Sequence, residues 1–436
     1  MGKLKPAAAI ASVALVAATA ACSGSDSGAE SNTITYWASN QAPSLQGDKK
    51  ILGPELDKFT KQTGIKVKLR VIGWNDLLNK IMSATTSGQA PDVVNIGNTW
   101  SASLQATGAF VPFDDATTKK IGGRDKFLDT SMSSTGAEGK TPTSVPLYGL
   151  SYGLFYNREA FAQAGIDSPP TTWDEFRADA KKLTDSAHNK YGLTMAGASY
   201  TENAHFAFIF GQQQGGGFFG KNSDPTFTSS QNIKGVQEYI DFLAKDKVAT
   251  PSSAEHATTT DAIADFTSGK AAMLMGQNNT TAGIKANGMD ASEYGVAPLP
   301  FPEPMPPGGK RVNSHVAGIN IAAFKDQNEP DALKFIKFMT SKDEQVTLNQ
   351  KFGALPVTHD AAEAPAFQTK RNKVFVDVLA NTSAPMPMIP NESQFETTVG
   401  NGMKDLIAQA ATGKQVTSDD VKQALAEAQE KMESGG

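Results

Sequence analysis

VPLYGLSYGLFYNREAFAQAGIDSPPTTWDEF, residues Val145–Phe176, packs a strand and two helix starts into one short stretch. Gly153–Asn157 reads as a strand of small and aromatic residues. Arg158–Ala164 follows as a helix that Gly165 closes. Thr172-Trp-Asp-Glu175 spells a capping box, with the Thr172 hydroxyl set to accept from the Glu175 N–H and the Glu175 side chain set to reach back. The helix it opens is expected to run to about Ser186. A strand that feeds directly into helices is the repeating unit of an α/β fold.

The same grammar extends towards the N-terminus. Thr33–Ala38 reads as a strand. Ile51–Thr63 reads as a helix, with Leu52, Leu56 and Phe59 on one face and Gly64 as its stop. Lys66–Val71 alternates as a strand, Asn75–Ser87 is helical up to Gly88, and Pro91 opens the apolar strand Asp92–Ile96. Strands separated by helices predict a parallel, doubly wound sheet. Towards the C-terminus, an aromatic helix is expected over Asn203–Gln213, strands over Ala271–Met275 and Tyr294–Pro298, and amphipathic helices carrying Phe335, Met403 and Leu425. The proline-rich segments Pro298–Pro307 and Pro385–Pro390 read as loops or crossings.

Residues 1–32 have a different character. Lys3 and Lys5 precede the apolar run Ala7–Ala18, which is too short to span a bilayer. Small residues follow, up to Cys22, the one cysteine of the chain. This is the layout of a secretory signal peptide. Cleavage before Cys22 would leave a thiol ready for lipid, as in the lipobox of bacterial lipoproteins, although Thr19 stands where Leu is usual. Cleavage after Ala20 is the rival. Ser23–Asn32 then serves as a flexible tether.

Bulk properties narrow the function. The formal charge is −5 and the leader removes only lysines, so no basic surface for nucleic acid is expected. One cysteine permits neither a disulfide nor a Cys-zinc site. The five histidines form no metal-binding spacing, so no metal or cofactor is expected. Gly149-Leu-Ser-Tyr-Gly153 matches the G-x-S-x-G of α/β-hydrolases, but that elbow requires a helix after the serine, and a strand follows Ser151 here. No catalytic constellation remains, and an enzyme is not expected.

What remains is a set of polar and aromatic residues at predicted strand ends: the first strand runs into Trp37, Asn40 and Gln41, Trp74 sits where the second meets its helix, and Asn98 and Trp100 follow the third. Open α/β sheets bind ligands beyond the carboxyl ends of their strands. Indole faces beside amides, which both donate and accept, suit a sugar ring and its hydroxyls.

The order of segments resembles the extracellular solute-binding proteins of ABC importers, the family that contains maltose-binding protein. Ala90–Trp100 (APDVVNIGNTW) is similar to the family's A-P-D strand, and Val145–Phe176 to its most specific signature. Phe266–Gln277 (FTSGKAAMLMGQ), Tyr294–Pro302 (YGVAPLPFP), Glu329–Gln345 (EPDALKFIKFMTSKDEQ) and Gly353–Val357 (GALPV) follow in the family's order. The resemblance covers nearly all of residues 33–433. It implies a two-lobe periplasmic-binding-protein-like fold, each lobe an α/β sheet flanked by helices, with the ligand cleft between them. Residues 1–21 would be the signal peptide and 22–32 the tether. Residues 33–144 and 301–353 would form lobe 1, and 145–297 and 357–436 lobe 2, with crossings near 145, 298–300 and 353–356. By alignment, Gln41, Asn98, Trp100, Ser151, Tyr152, Asn203, His205, Asn313 and His315 would face the cleft. Asn278 and Glu396 fall where maltose-binding protein has stacking tryptophans, which speaks against maltodextrin as the ligand. The implied function is capture of a mono- or oligosaccharide by lobe closure and delivery to membrane permease subunits. The protein would be a monomer held at the outer face of the cytoplasmic membrane by a lipid on Cys22. A polyamine, glycerophosphodiester or peptide ligand is the alternative.

Overall fold

The computed structural model describes residues 32–220, 223–325 and 328–434; the leader and Cys22 lie outside the described residues. In chain order the strands are β1 (Thr33–Ser39), β2 (Lys66–Ile72), β3 (Val93–Gly97), β4 (Val145–Leu150), β5 (Tyr152–Asn157), β6 (Tyr191–Thr194), β7 (Ala271–Gln277), β8 (Tyr294–Ala297), β9 (Ser314–His315), β10 (Ala317–Ala323) and β11 (Ser383–Ala384). They form two main sheets, ordered β2-β1-β3-β10-β4 and β6-β7-β5-β8, and the short pair β11-β9.

The local reading holds where local chemistry decides. In the capping box, Thr172 Oγ1 accepts from the Glu175 N–H at 3.2 Å and Glu175 Oε2 accepts from the Thr172 N–H at 3.1 Å. Its helix, Trp173–Lys182, is one turn shorter than expected. The first helix, Leu45–Thr63, begins earlier than its apolar stripe because Ser44 caps it, accepting from the Gly47 N–H; Gly64 at φ 75° ends it.

Sheet polarity departs from expectation. β1 runs parallel to β2 and β3. β10, from far along the chain, then inserts antiparallel between β3 and β4. In the second sheet β5 is antiparallel to both neighbours. Both sheets are therefore mixed, since long returns of the chain supply strands that no βαβ crossover constrains.

Each sheet has its own core. The first gathers Ile34, Tyr36, Phe59 and Phe335, and the second Trp173, Phe206, Phe210, Tyr239 and Phe242. All three crossings lie later than the expected positions. Val145–Leu150 is bonded to β10 in the first sheet, so the chain changes lobes at Ser151. Leu299 and Val312 are buried in the second core, so the return comes at Val316, between β9 and β10. Ala354 and Val357 are buried in the first core, and Thr358 bridges to Phe127. The last crossing therefore follows Thr358, before the helix Lys370–Asn381 sets Phe375 against Phe155 of the second sheet.

Candidate functional site

Between the two sheets lies a cavity of about 330 Å³, lined from both lobes. The first lobe supplies Asn40–Ala42 after β1, Gly73–Asp76 at the start of the helix Trp74–Ser87, and Gly97–Trp100 after β3. The second supplies Ser199, Thr201, Glu202 and His205 from the start of the helix Tyr200–Gln213, Ala257–Thr260 at the start of another, Gln277 and Asn279 around the end of β7, His315 of β9, and Glu396 of the helix Glu392–Ala411.

A buried carboxylate shapes the first loop. Asp48 Oδ1 accepts from the backbone N–H of Gln41 at 2.9 Å and of Ala42 at 3.2 Å, and its other oxygen takes the Asn40 amide. Burial pushes the Asp48 pKa up to about 6 despite these bonds. Trp74 Nε1–H donates to the Asn40 carbonyl at 2.7 Å, tying the loop to the next helix. The Trp74 ring meets Trp100 edge to face at 5.5 Å.

Glu396 holds the loop after β3 from across the cleft. Trp100 Nε1–H donates to Glu396 Oε2 at 2.7 Å, and both residues are buried. The Trp100 ring lies over Gly97, where a Cβ would come within 3.1 Å of it, so glycine is what permits the approach. Burial alone would raise the Glu396 pKa, but His205, Thr99 and Trp100 around it hold it below the usual carboxylate range.

From Glu396 the polar chain runs on through the second lobe. His205 Nε2 stands 3.4 Å from Glu396 Oε1, and its Nδ1 is 2.8 Å from the Tyr152 hydroxyl. That hydroxyl is also 2.8 Å from Glu202 Oε2, whose pKa burial raises. Glu396, held below the usual carboxylate range, keeps the cavity wall acidic. The lining contains no lysine and no arginine.

Of the residues expected at the site, Asn40, Gln41, Trp74, Asn98, Trp100, His205, His315 and Glu396 line the cavity. The others lie elsewhere, each for a visible reason. Trp37 is in mid-strand, on the sheet face under Arg70, whose guanidinium carbon is 5.2 Å from its ring centre. Ser151 is buried at the crossing, its hydroxyl donating to the Phe375 carbonyl at 2.9 Å. Tyr152 sits behind His205. Asn203 is spent on the Gly197 and Gly400 carbonyls. Asn313 donates to the Leu299 carbonyl and accepts from Thr382. Asn278 straps the crossing, accepting from the Ser151 N–H at 2.8 Å and donating to the Gly353 carbonyl at 2.9 Å.

Sequence reasoning missed Glu202 and Thr258–Thr260. Thr258 and Asp261 form a second capping box, so the pattern T-x-x-D would have marked a helix start there. That this start faces the cleft is set by the fold. Among the described residues, no group of three or more His, Cys, Asp or Glu side chains could hold a metal, and no helix is long and apolar enough to cross a membrane.

With this geometry in view, comparison with known proteins is direct. The family model for bacterial extracellular solute-binding proteins matches residues 42–346. A Brucella abortus protein named only as a binding protein is 24% identical over 387 residues, 89% of this chain and 90% of its own. The sn-glycerol-3-phosphate-binding periplasmic protein of Brucella melitensis is 27% identical over 314 residues, 69% of this chain and 68% of its own. An ABC transporter solute-binding protein from Thermotoga lettingae, solved with α-D-tagatose, superposes with a TM-score of 0.79 at 21% identity, covering 92% of this chain and 99% of that one.

Proposed function

We propose that this chain, which belongs to the bacterial extracellular solute-binding protein family, captures a small carbohydrate or polyol without anionic groups and passes it to the permease of an ABC importer. One observation carries the choice of ligand: two indoles, hydroxyls and amides line the cavity, together with Asp76, Glu202 and Glu396 and no fixed cation. Carboxylates accept well from sugar hydroxyls, and indoles cover C–H faces. A glycerol phosphate would enter an acidic wall with no lysine or arginine to neutralise it. Two of the helix starts at the cavity are already capped, by Ser199 and by Thr258 with Asp261, and the start at Trp74 carries Asp76 in its first turn. A cavity of about 330 Å³ is near the small end for ligand sites, which favours one or two sugar rings.

The test is a thermal-shift panel of monosaccharides, disaccharides and polyols beside glycerol 3-phosphate and spermidine. A ligand at one hundred times its Kd adds about 2.7 kcal/mol to apparent stability. Response to glycerol 3-phosphate or spermidine alone overturns the carbohydrate reading. The protein binds without turnover, in keeping with a buried Ser151, and activated-serine probes should leave Ser151 unlabelled. Lipidation of Cys22 would hold the chain at the outer face of the membrane, as a monomer. Cys22→Ser should release it, and a wild type that is already free in the medium removes the anchor.

A further inference from the structure

Two residues that line the cavity carry a buried side-chain atom with no hydrogen-bond partner in the protein: Gln41 Oε1 and His315 Nε2. The two residues are 7% and 1% exposed. Both atoms are acceptors, whereas no residue of the lining leaves a buried side-chain donor unpaired.

The assignments follow from the partners. Gln41 Nε2 donates to the Asn40 carbonyl at 3.0 Å, which can only accept, so the other terminal atom is the oxygen. His315 Nδ1 stands 3.1 Å from the Val316 carbonyl, so Nδ1 carries the proton and Nε2 keeps its lone pair. Burial, with His205 beside it at 4.0 Å between ring centres, pushes the His315 pKa well below its usual range, so the ring does not gain a second proton at neutral pH.

We infer that the cleft reads its ligand as a hydrogen-bond donor, with Gln41 and His315 as the specificity-determining acceptors. The inference rests on the carbohydrate reading for the identity of those donors, which are sugar hydroxyls or, equally well, an amino group in place of one. A buried acceptor left unpaired costs stability because nothing replaces the water it gave up. Closure over a ligand whose groups only accept would leave these acceptors unpaired, whereas a donating ligand supplies what the protein withholds. The rule separates close relatives: glucose and glucosamine are admitted, and glucose 6-phosphate, whose phosphate only accepts, is disfavoured.

Two measurements test it. Long-range ¹H–¹⁵N correlation on the ligand-free protein at pH 7 should show His315 protonated at Nδ1 with Nε2 bare; protonation at Nε2 overturns the inference whatever binds. Calorimetry then compares glucose, galactose and mannose with their 2-amino and 6-phosphate counterparts. The parent or amino sugar should bind and the phosphate should be weaker by at least tenfold, and His315→Phe and Gln41→Leu should each weaken the best binder by about tenfold. Either variant serves if the other does not fold. A phosphate that binds more tightly than its parent sinks the donor rule but leaves the carbohydrate reading standing. If no sugar binds but spermidine does, the carbohydrate reading falls and the donor rule survives. If nothing in the panel binds, the ring measurement alone decides the rule.

Discussion

Trp100→Phe should weaken ligand binding about tenfold while leaving the fold intact. Trp100 belongs to the first lobe and its partner Glu396 to the second, so the 2.7 Å bond between them exists only when the lobes meet. Phenylalanine keeps most of the buried ring and its edge contact with Trp74, and so avoids the ~3–5 kcal/mol that truncating a core aromatic to alanine costs. What it removes is one N–H donated to a buried carboxylate. Hydrogen bonds to charged groups contribute about 1.5–3 kcal/mol. His205 stays near Glu396, at 3.4 Å, so the carboxylate is not abandoned and the lower end applies. About 1.4 kcal/mol is tenfold in Kd. Because the bond belongs to the closed arrangement, the loss should appear in affinity and not in the urea midpoint of the ligand-free protein. Isothermal titration with the best binder of the carbohydrate panel reads it. A double-mutant cycle with Glu396→Gln isolates the bond: the pair should cost less than the sum of the single changes by about 1 kcal/mol or more. Unchanged affinity in folded Trp100→Phe, or strict additivity with Glu396→Gln, would refute the claim that this bond closes the cleft.

Three further outcomes are expected. Asn278→Ala should lower stability by about 2 kcal/mol or more in urea titration, since it strips the Ser151 N–H and the Gly353 carbonyl of their buried partner; a loss of affinity at unchanged stability would instead return Asn278 to the ligand. Glu392→Gln should flatten the pH dependence of stability. Burial, reinforced by Glu396, raises the Glu392 pKa well above its ordinary 4.5, so the native state keeps a proton that the unfolded chain releases. Wild-type stability from this group is therefore greatest below pH 4.5 and declines as pH rises above it, by about 1.4 kcal/mol per unit up to the folded pKa. Equal slopes for wild type and variant between pH 5 and 7 count against it. Gly400→Ala should cost stability and affinity together, because its Cβ would collide with the Tyr200 carbonyl and move the helix that carries Glu396, at about 1–3 kcal/mol for such overpacking; a neutral effect means the two helices can part without consequence.

Much of the fold was legible because it is written locally. Period and caps located β1, β2, the helix Trp74–Ser87 and the capping box at Thr172, and the order of segments identified the two-lobe architecture. The crossings were not legible. By sequence Gly153–Asn157 alone reads as a strand and the crossing falls near 145, and only the pairing of β4 with β10 shows that the chain changes lobes at Ser151. The same limit applies to the site. Asn40, Gln41, Asn98 and Trp100 follow strand ends, and the general rule for open sheets found them. Trp37 has the same chemistry but lies in mid-strand, where alternation turns its ring to the sheet face. Glu396 sits inside a helix whose other residues are core, and nothing in its neighbourhood announces that an indole from the other lobe will bond to it.

The acceptor bias of the cleft follows from how its loops are held. Loops after parallel strands present unpaired backbone N–H groups, and a phosphate-binding site leaves them free for the ligand. Here internal carboxylates and caps take them first. Asp48 binds the N–H groups of Gln41 and Ala42, Asp261 takes that of Thr258, and Ser199 takes that of Glu202. Glu396 does the same for the indole N–H of Trp100. Each acid that orders a loop uses up donors and adds negative charge, so the buried groups left without a partner at the cavity are an amide oxygen and an imidazole lone pair. A lysine introduced at Asn75, on the exposed rim beside Asp76, would supply the missing cation without touching those clamps. That this single change should improve binding of glycerol 3-phosphate only slightly follows directly, because the donors a phosphate needs would still be engaged inside the protein.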